Sequence, residues 1–402
     1  MKLYDDPLHD EFARWALGFI PAGGGDLGDI DAIARQKTNP DDDEFFDIWS
    51  GAAQRHAEIA DAARTSGHRA TARAHYLRAA SFLTVAYHPL YGKPVDPRLS
   101  DAFERQVLAF DRAMALGTPP AEPLKIPFEG HDMLAYFVPA ADAPRGERRP
   151  LVIATNGFDA TISDMYLGTA HYAVQRGYHC LVFDGPGQGA MLVRDDVTMV
   201  GDWERVVAPV VDAMLARPDV DPERIVLHGW SLGGYLAPRA ASGEHRLAAC
   251  VADPAFPGIL DSMGAMASAV GLSQDAVAAL PEVSDADAAK IEELVEHDRF
   301  LHWSFVQRGY WVMGASDLAS FLAAVSAFSM KGRSELIRCP VLGTTTEGDP
   351  LAVSAESLLA QMRCPTTLIR FTNAEGAGGH CEMLNRPLLN ERIFDWLDDT
   401  LE

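Results

Sequence analysis

The stretch Arg224–Ala237 constrains the fold of this chain more than any other part of the sequence. It opens with the apolar run Ile225–Leu227, which is typical of a strand covered on both faces. Gly229–Gly233 comes next with the pattern G-x-S-x-G, and a helical pattern follows it. This pattern predicts a strand, a tight turn and a helix, with Ser231 displayed beside the free N–H groups of the helix start. The alternative is an ordinary strand-turn-helix with a small residue at the bend.

Strand and helix signals alternate through the chain after residue 150. Apolar runs of strand length lie at 151–155, 180–183, 247–252, 341–345 and 367–371, besides the run before Ser231. Helical patterns near 163–176 and 202–216 separate the first of these runs. This alternation predicts an α/β fold with a mostly parallel, doubly wound sheet and crossover helices. Two segments with a period of two, 124–128 and 133–138, flank a turn and predict a hairpin of edge strands.

Two regions lack strand signals and are predicted to be helical. Residues 1–120 should form an N-terminal helical domain, with helices between Pro40 and Gly67, over 69–87 and over 97–116. Residues 253–338 should form an inserted set of helices, including 285–299 and 316–330. Such an insertion over the carboxyl edge of a sheet would act as a lid. The α/β core is then divided into residues 121–252 and 339–402.

The composition limits the partners that this chain can have. A formal net charge of −23 opposes binding to phosphate backbones and to anionic membranes, because both would be repelled at long range. Residues 1–10 carry acids where a signal peptide needs an apolar core, and no run of about 18 apolar residues occurs. We therefore expect a cytoplasmic protein that binds a small-molecule substrate, with neither nucleic acid nor a membrane as a partner. A homodimer is left open.

No metal or cofactor is expected. The five cysteines are scattered without C-x-x-C spacing, and His56, His68 and His75 lack carboxylates at ligand spacing. Asp184–Gly189 (Asp-Gly-Pro-Gly-Gln-Gly) contains three glycines, but it lacks the lysine of a phosphate loop, and Pro186 removes one N–H donor. We interpret this motif as a fixed turn under the active site.

Two candidate partners for Ser231 follow it in the chain order that is typical of a Ser, acid, His triad. The strand run at 341–345 leads into a polar turn that contains Glu347 and Asp349. Asp349 is preferred because it lies in a Gly-Asp-Pro turn that can aim a short carboxylate inward, and Glu347 is the rival acid. His380 follows the last strand run on a glycine-rich loop, which suits a general base. The predicted catalytic residues are therefore Ser231, Asp349 and His380.

Further candidates would hold the substrate. The attacked carbonyl oxygen would need backbone N–H donors, for which we choose Leu232, after the serine, and Phe158, in the loop after the first parallel strand. Side chains of the elbow and the lid provide candidate substrate contacts, namely Trp230, Met263, Trp303, Tyr310 and Trp311. Packing within the lid is the alternative for its residues, since buried aromatic side chains are common in any helical layer.

Several short motifs together resemble a known family. They are Asn156–Thr161 (Asn-Gly-Phe-Asp-Ala-Thr), Asp184–Gly189, Gly229–Gly234, Glu347–Asp349 and Gly379–His380, behind an N-terminal helical region. The chain resembles α/β-hydrolases of the fermentation-respiration switch protein-like group, and within it dihydroxypseudooxynicotine hydrolase and the fungal heptaketide hydrolases of pigment synthesis. The resemblance implies the α/β-hydrolase fold and a serine nucleophile.

The resemblance also implies a reaction, which is cleavage of a carbon–carbon bond beside a ketone. A carboxylate lies just after the oxyanion loop in that family, and Asp159 occupies the matching place. The resemblance implies that Asp159 holds a substrate ketone or hydroxyl, or helps to protonate a leaving carbanion. Capping of the following helix is the alternative role. The chain departs from the family where Asp159 replaces the usual glutamate and where Ala190 stands in place of an acid.

Three functional hypotheses follow. The first is a serine hydrolase that cleaves a carbon–carbon bond of a polyketide-like or β-diketone-like molecule through an acyl-enzyme. The second is a carboxylesterase, amidase or acyltransferase that uses the same acyl-enzyme. The third is a binding protein built on an inactive hydrolase scaffold, which would have to explain why the elbow glycines and all three candidate catalytic residues are present.

Overall fold

An eight-stranded sheet organises the structure, a computed structural model that describes residues 1–144, 146–269 and 273–402. The strands are β1 (Glu122–Phe128), β2 (His131–Val138), β3 (Arg149–Thr155), β4 (His179–Phe183), β5 (Val220–Trp230), β6 (Ala249–Asp253), β7 (Val341–Thr346) and β8 (Thr366–Phe371). They lie in the order β1-β2-β4-β3-β5-β6-β7-β8. The predicted hairpin β1–β2 is antiparallel, β2 is antiparallel to β4, and the remaining neighbours are parallel. The predicted α/β fold is confirmed.

The central strands are buried on both faces, which explains their sequences. Every residue of β4 and of β6 is buried, as are the last six residues of β5. A strand covered on both sides needs apolar residues at successive positions, so it shows no alternation. Because β3 and β5 to β8 are parallel, the loops that follow them meet at one carboxyl edge of the sheet.

Five helices precede the sheet in the chain. They are α1 (Pro7–Gly18), α2 (Leu27–Ala34), α3 (Asp42–Thr65), α4 (Arg69–Tyr87) and α5 (Pro97–Ala115). The bounds of α3, α4 and α5 agree with the sequence signals. Asp41 and Glu44 form a capping box at the start of α3, and Gly67, with a φ of 78°, follows the end of α3. Trp15 of α1 packs on Trp230 with ring centroids 5.9 Å apart, so these helices share one core with the sheet.

A buried polar cluster fastens α4 and α5 to the sheet domain. The Gln106 side-chain nitrogen lies 2.8 Å from Thr84 Oγ1, 2.8 Å from Thr161 Oγ1 and 2.7 Å from Ser163 Oγ. Tyr87 donates its hydroxyl proton to Gln106 Oε1 over 2.7 Å. One amide of α5 therefore contacts hydroxyls of α4, of the loop after β3 and of the short helix Ile162–Met165.

We expect Gln106→Leu to lower the free energy of unfolding by about 1–3 kcal/mol, because Tyr87 loses its buried acceptor and three buried hydroxyls lose a donor. Urea unfolding of the full chain measures this loss. Gln54→Leu, on the exposed side of α3, is the matched control and should change stability by less than about 0.5 kcal/mol. Equal losses in the two variants would show that the cluster does not fasten the helices.

The remaining helices complete the core and form the insertion. Crossover helices are α6 (Ile162–Met165), α7 (His171–Gln175), α8 (Gly189–Val193), α9 (Glu204–Leu215) and α10 (Gly233–Ala241). The segment between β6 and β7 contains α11 (Ile259–Ala269), α12 (Gln274–Ala278), α13 (Asp285–His297), α14 (Arg299–His302), α15 (Tyr310–Met313) and α16 (Leu318–Val325). The last two helices are α17 (Ala355–Leu359) and α18 (Arg386–Thr400). Among the residues that the structure describes, none of these helices is long and apolar enough to cross a membrane.

One lid helix is shorter than predicted. The pattern over 316–330 predicts a single helix, but α16 ends at Val325. The chain leaves the helix there because Ser329 pairs with Gly258 in an isolated antiparallel bridge, and the carbonyl of Ala327 packs on Gly201. These contacts tie the end of the lid to the core.

Candidate active site

The carboxyl edge of the sheet brings three predicted residues together. Ser231 follows β5, Asp349 follows β7 and His380 follows β8. Ser231 Oγ lies 2.8 Å from His380 Nε2, and His380 Nδ1 lies 2.8 Å from Asp349 Oδ2. A hydroxyl, an imidazole and a carboxylate thus form one continuous hydrogen-bonded chain, although 149 residues separate the serine from the histidine.

The turn at Ser231 is strained, and glycines make it possible. Ser231 has a φ of 60°, in a region that non-glycine residues rarely adopt. A Cβ atom on Gly229 would collide with the carbonyl oxygen of Gly233, and one on Gly157 would lie 2.8 Å from the Cβ of Ser231. Both positions therefore require glycine, so the elbow can turn sharply while the loop after β3 passes directly beside it.

The electrostatics of the chain couple the histidine to the acid. Asp349 is buried, and although burial opposes ionisation, the His380 charge and hydrogen bond hold the pKa of Asp349 below its usual value. Burial works to lower the pKa of His380, but the Asp349 carboxylate and the Cys381 thiol outweigh it and raise that pKa well above its usual value. The carboxylate of Asp349, bound to Nδ1, therefore makes His380 a stronger base at Nε2.

Glu347, the rival acid, occupies a different place. Its side chain is exposed, and its carboxylate accepts a hydrogen bond of 2.8 Å from the backbone N–H of Asn373. Its own carbonyl accepts from the N–H of Gly379 over 2.9 Å. Glu347 thus supports the loop that carries His380, whereas Asp349 contacts the imidazole itself.

The loop after β3 lies where an oxyanion hole would form. The backbone nitrogen of Leu232 lies close to Gly157, the residue before Phe158. Within the described part of the chain, neither the Leu232 nor the Phe158 N–H donates to a protein acceptor. Both N–H groups remain available to an oxygen bound beside Ser231.

The Asp184–Gly189 motif, predicted only to be a fixed turn, supports this loop. The Gln188 side-chain amide donates to the carbonyls of Asn156 and Gly157 over 2.9 and 3.0 Å. Asn156 in turn donates to the buried Asp184 carboxylate over 3.3 Å. The motif therefore fixes the backbone of the oxyanion loop from below.

Arg308 holds the same loop through the carbonyl of Phe158, and no motif in the sequence predicted this role. Its guanidinium donates to the carbonyl of Phe158 from two nitrogens, with Nε at 2.9 Å. The side chain is 2% exposed and lies over the ring of Tyr91, 4.3 Å from its centroid. It belongs to a π-helical turn, Trp303–Gly309, a form that often occurs at functional sites. That turn is the only signal that could have identified it, and it is not visible in the sequence.

Asp159 lies beside this arginine and interacts electrostatically with His380. Burial raises the pKa of its carboxyl, while the charges of Arg308 and His380 oppose the rise. The alternative that Asp159 caps the next helix is wrong. The N-cap of that helix is Thr161, which forms a capping box with Asp164, whose carboxylate accepts a 2.8 Å hydrogen bond from the N–H of Thr161. Asp159 is thus a half-buried residue whose carboxyl interacts electrostatically with His380 and has no capping role.

Two of the expected substrate contacts have other partners. Trp230 is 2% exposed, and its ring packs beneath the elbow with the Arg386 guanidinium 4.5 Å from its centroid. Trp303 is buried, and its indole N–H donates to the carbonyl of His88 over 2.7 Å. These placements favour packing over contact with a substrate for both tryptophans.

The remaining lid residues also contact protein. Trp311 is buried, and its N–H donates to Asp196 over 3.3 Å. Tyr310 is half-buried, with its ring 5.7 Å from that of Phe321, and Met263 is half-buried between the main core and a smaller apolar cluster of the lid. Of the five, Met263 and Tyr310 retain enough exposed surface to touch a ligand.

The one candidate metal-binding group in the described ranges coincides with the hydrogen-bonded chain. Donor atoms of Asp349, His380 and Cys381 lie within 4.8 Å of one another. Both ring nitrogens of His380 are already engaged, one by Ser231 and one by Asp349. An ion would have to displace one of these bonds, so the group fits a metal poorly.

The fold and this site have known counterparts. Residues 151–389, more than half of the chain, match the alpha/beta hydrolase family. The chain therefore belongs to that family, and its relatives are named hydrolases, so this protein is a hydrolase. The hypothesis of a non-catalytic binding protein is accordingly wrong.

Particular relatives span almost the whole chain. Hydrolase acrC of Aspergillus aculeatus is 30% identical over 430 residues, covering 100% of this chain and 98% of that protein. The 20-hydroxy-prefusarin hydrolase FUS2 of Gibberella moniliformis is 29% identical over 423 residues, covering 98% and 96%. The crystal structure of 2,6-dihydroxy-pseudo-oxynicotine hydrolase shares the fold, with a TM-score of 0.73, 23% identity and coverage of 96% and 95%. The resemblance to this enzyme and to fungal hydrolases is confirmed.

Proposed function

We propose that this protein is a serine hydrolase that cleaves a carbon–carbon bond beside a ketone in a polyketide-like or β-diketone-like small molecule. The observation that carries the proposal is the hydrogen-bonded chain from Ser231 through His380 to Asp349. The name of the FUS2 relative supports a hydroxylated small molecule as the substrate class. Hydrolysis of an ester or amide, or acyl transfer, is the second candidate, because it would use the same residues.

The proposed roles follow from the geometry. Ser231 attacks the acyl carbon while His380 takes its proton through Nε2, and Asp349 stabilises the imidazolium that forms. The N–H groups of Leu232 and Phe158 stabilise the oxyanion. His380 then gives its proton to the leaving group, and water releases the acyl group from Ser231.

Asp159 favours carbon–carbon cleavage over ester hydrolysis. An alkoxide can leave with the proton of His380 alone, whereas a carbon leaving group departs as an enolate and gains from a second acid or a held ketone. Burial raises the pKa of Asp159, and the carboxyl interacts electrostatically with His380, so Asp159 is the group that we assign as the second acid. Among the described residues, its side chain forms no hydrogen bond with another residue that would occupy it otherwise.

We expect Asp159→Asn to lower turnover of an acyl 1,3-diketone by about 10²-fold or more, because the amide cannot supply a proton. Hydrolysis of a p-nitrophenyl ester should change less than about threefold, since that leaving group needs no acid. Steady-state kinetics on both compounds, with the melting temperature as a check on folding, measures the difference. Small and equal losses on both would transfer the proposal to ester or amide hydrolysis.

Arg308 provides a second prediction at the oxyanion loop. Arg308→Met should lower kcat on the same ester by about tenfold or more, because the oxyanion loop loses the hydrogen bonds from Arg308 to the Phe158 carbonyl. The loss should stay below the roughly 10²–10³-fold that removal of a whole oxyanion donor costs. KM should change less than kcat. Arg363→Met, at an exposed arginine away from the site, serves as the control. A normal kcat in Arg308→Met would show that the motif around Gln188 alone fixes the loop.

A further inference from the structure

Two acidic side chains meet in the protein interior beneath the catalytic chain. Asp253 is the last residue of β6, and Glu382 follows His380 by two residues. Both are 0% exposed, no donor in the described part of the chain reaches Glu382 Oε2, and the Asp253 carboxyl interacts with Glu382. Two ionised carboxylates cannot occupy adjacent places in an apolar interior, so one proton must lie between them.

The charges around the pair also indicate that the two carboxyls hold one proton. Arg386 is the nearby cation, also 0% exposed, with Nη1 3.3 Å from Asp253 Oδ2. The other titratable neighbours are His228, whose pKa burial lowers to about 4, and Cys381, whose thiol pKa burial raises to about 12. Both are neutral at physiological pH. One positive charge therefore faces two carboxyls, and the cluster is balanced when one of them is protonated.

This cluster is hydrogen-bonded to the backbone of Ser231 and to the backbone of Cys381, the residue after His380. The carbonyl of Asp253 accepts a hydrogen bond of 2.7 Å from the N–H of Ser231. Arg386 donates to the carbonyl of Cys381 over 2.8 Å, and Thr346 donates to the Glu382 carboxyl. Asp253 and Arg386 thus join the strand before Ser231 to the loop after His380.

The loop after His380 needs such support. Cys381 has a φ of 52° and Glu382 a φ of 46°, so two successive non-glycine residues adopt the left-handed region. This conformation is unfavourable for both and persists only where surrounding contacts fix it. Here those contacts are the bond from Arg386 to the Cys381 carbonyl and the burial of the Glu382 carboxyl against Asp253.

We propose that Glu382 holds a proton, which it shares in a hydrogen bond with the Asp253 carboxylate, and that the two residues form with Arg386 a charge-balanced clamp that positions His380 against Ser231. The three are positioning residues, and none of them touches the reacting atoms. The inference rests on the proposed function in one respect, because it takes His380 as the catalytic base. It explains why acidic residues remain buried next to a strained loop.

The test compares single and double amide variants on the full chain. Asp253→Asn or Glu382→Gln alone leaves one carboxylate to balance Arg386, so each should lower kcat on a p-nitrophenyl ester by no more than about tenfold. The double variant leaves Arg386 buried without a counter-charge, and its kcat should fall on the order of 10²–10³-fold beyond the product of the single losses. KM should change little, because the clamp acts on His380 and not on substrate binding. The double variant Asp101→Asn, Glu356→Gln makes the same two kinds of substitution at exposed carboxylates and should leave kcat unaffected.

A second measurement decides the matter if the double variant does not fold. The infrared spectrum of the wild type at neutral pH should contain the carbonyl band of a protonated carboxylic acid. This band should be lost in Glu382→Gln, because Glu382 supplies it. Losses that simply multiply, or a missing carbonyl band, would overturn the shared proton. Fluorophosphonate labelling of the wild type at Ser231 distinguishes this failure from failure of the proposed function, because labelling depends on the nucleophile and not on the protonation of the pair.

Discussion

Ser231→Ala and His380→Ala should each lower turnover by about four to six orders of magnitude while the fold survives. The two side chains are 2.8 Å apart and act as one unit, since the hydroxyl is a poor nucleophile without the base and the base has no other proton to move. The double variant should therefore be no slower than the worse single variant. Kinetics on a p-nitrophenyl ester, beside circular dichroism of each variant, measures both expectations.

His245→Ala is the control for this pair. His245 follows the C-terminal end of α10, the end away from Ser231, and contacts the carbonyl of Ser242, so its loss should leave turnover within about threefold of the wild type. If a folded Ser231→Ala or His380→Ala variant kept more than about a tenth of wild-type activity, the assignment of nucleophile and base would be wrong.

Asp349→Asn should lower kcat by about 10⁴-fold, and Glu347→Gln should have a mild effect. Asp349 lies 2.8 Å from His380 Nδ1 and stabilises the imidazolium, whereas the carboxylate of Glu347 is exposed and accepts from the backbone of Asn373. The two variants make the same chemical change two residues apart on one turn, so each is the control for the other. The reverse order of effects would transfer the acid role to Glu347.

The pH dependence provides a separate check on Asp349. His380 must be neutral to accept a proton, so kcat/KM falls as the pH drops through the pKa of His380. Asp349 raises that pKa. Removing the carboxylate in Asp349→Asn lowers it, and the acid limb of the residual activity should move to lower pH. An acid limb that stays in place would show that the carboxylate does not set the basicity of His380.

The parts of this fold that the sequence predicted are those with a local cause. Ile225–Leu227 shows a buried strand because both faces of β5 are covered, and Gly229 and Gly233 are required by contacts within the elbow itself. The order of Ser231, Asp349 and His380 follows from the order of parallel strands whose carboxyl ends share one edge. Patterns of this kind can be read without knowing which distant segments meet.

The parts that the sequence could not predict depend on distant segments. Nothing near Arg308 indicates that it reaches the carbonyl of Phe158, 150 residues away in the chain. Trp230 and Trp303 have the composition of a substrate pocket, yet buried packing and pocket lining use the same residue types. The capping box of Thr161 and Asp164 was a local signal, however, and it could have excluded the capping role for Asp159.

The acyl-enzyme at Ser231 is tested most directly by labelling with a fluorophosphonate, followed by intact-mass measurement and peptide mapping. The wild type should gain a single adduct, located on Ser231, and Ser231→Ala should gain none under the same conditions. Asp159→Asn should still be labelled, because its effect lies in the departure of the leaving group. A folded wild type that takes up no label, or that takes it up at another residue such as Cys381, would contradict the serine mechanism.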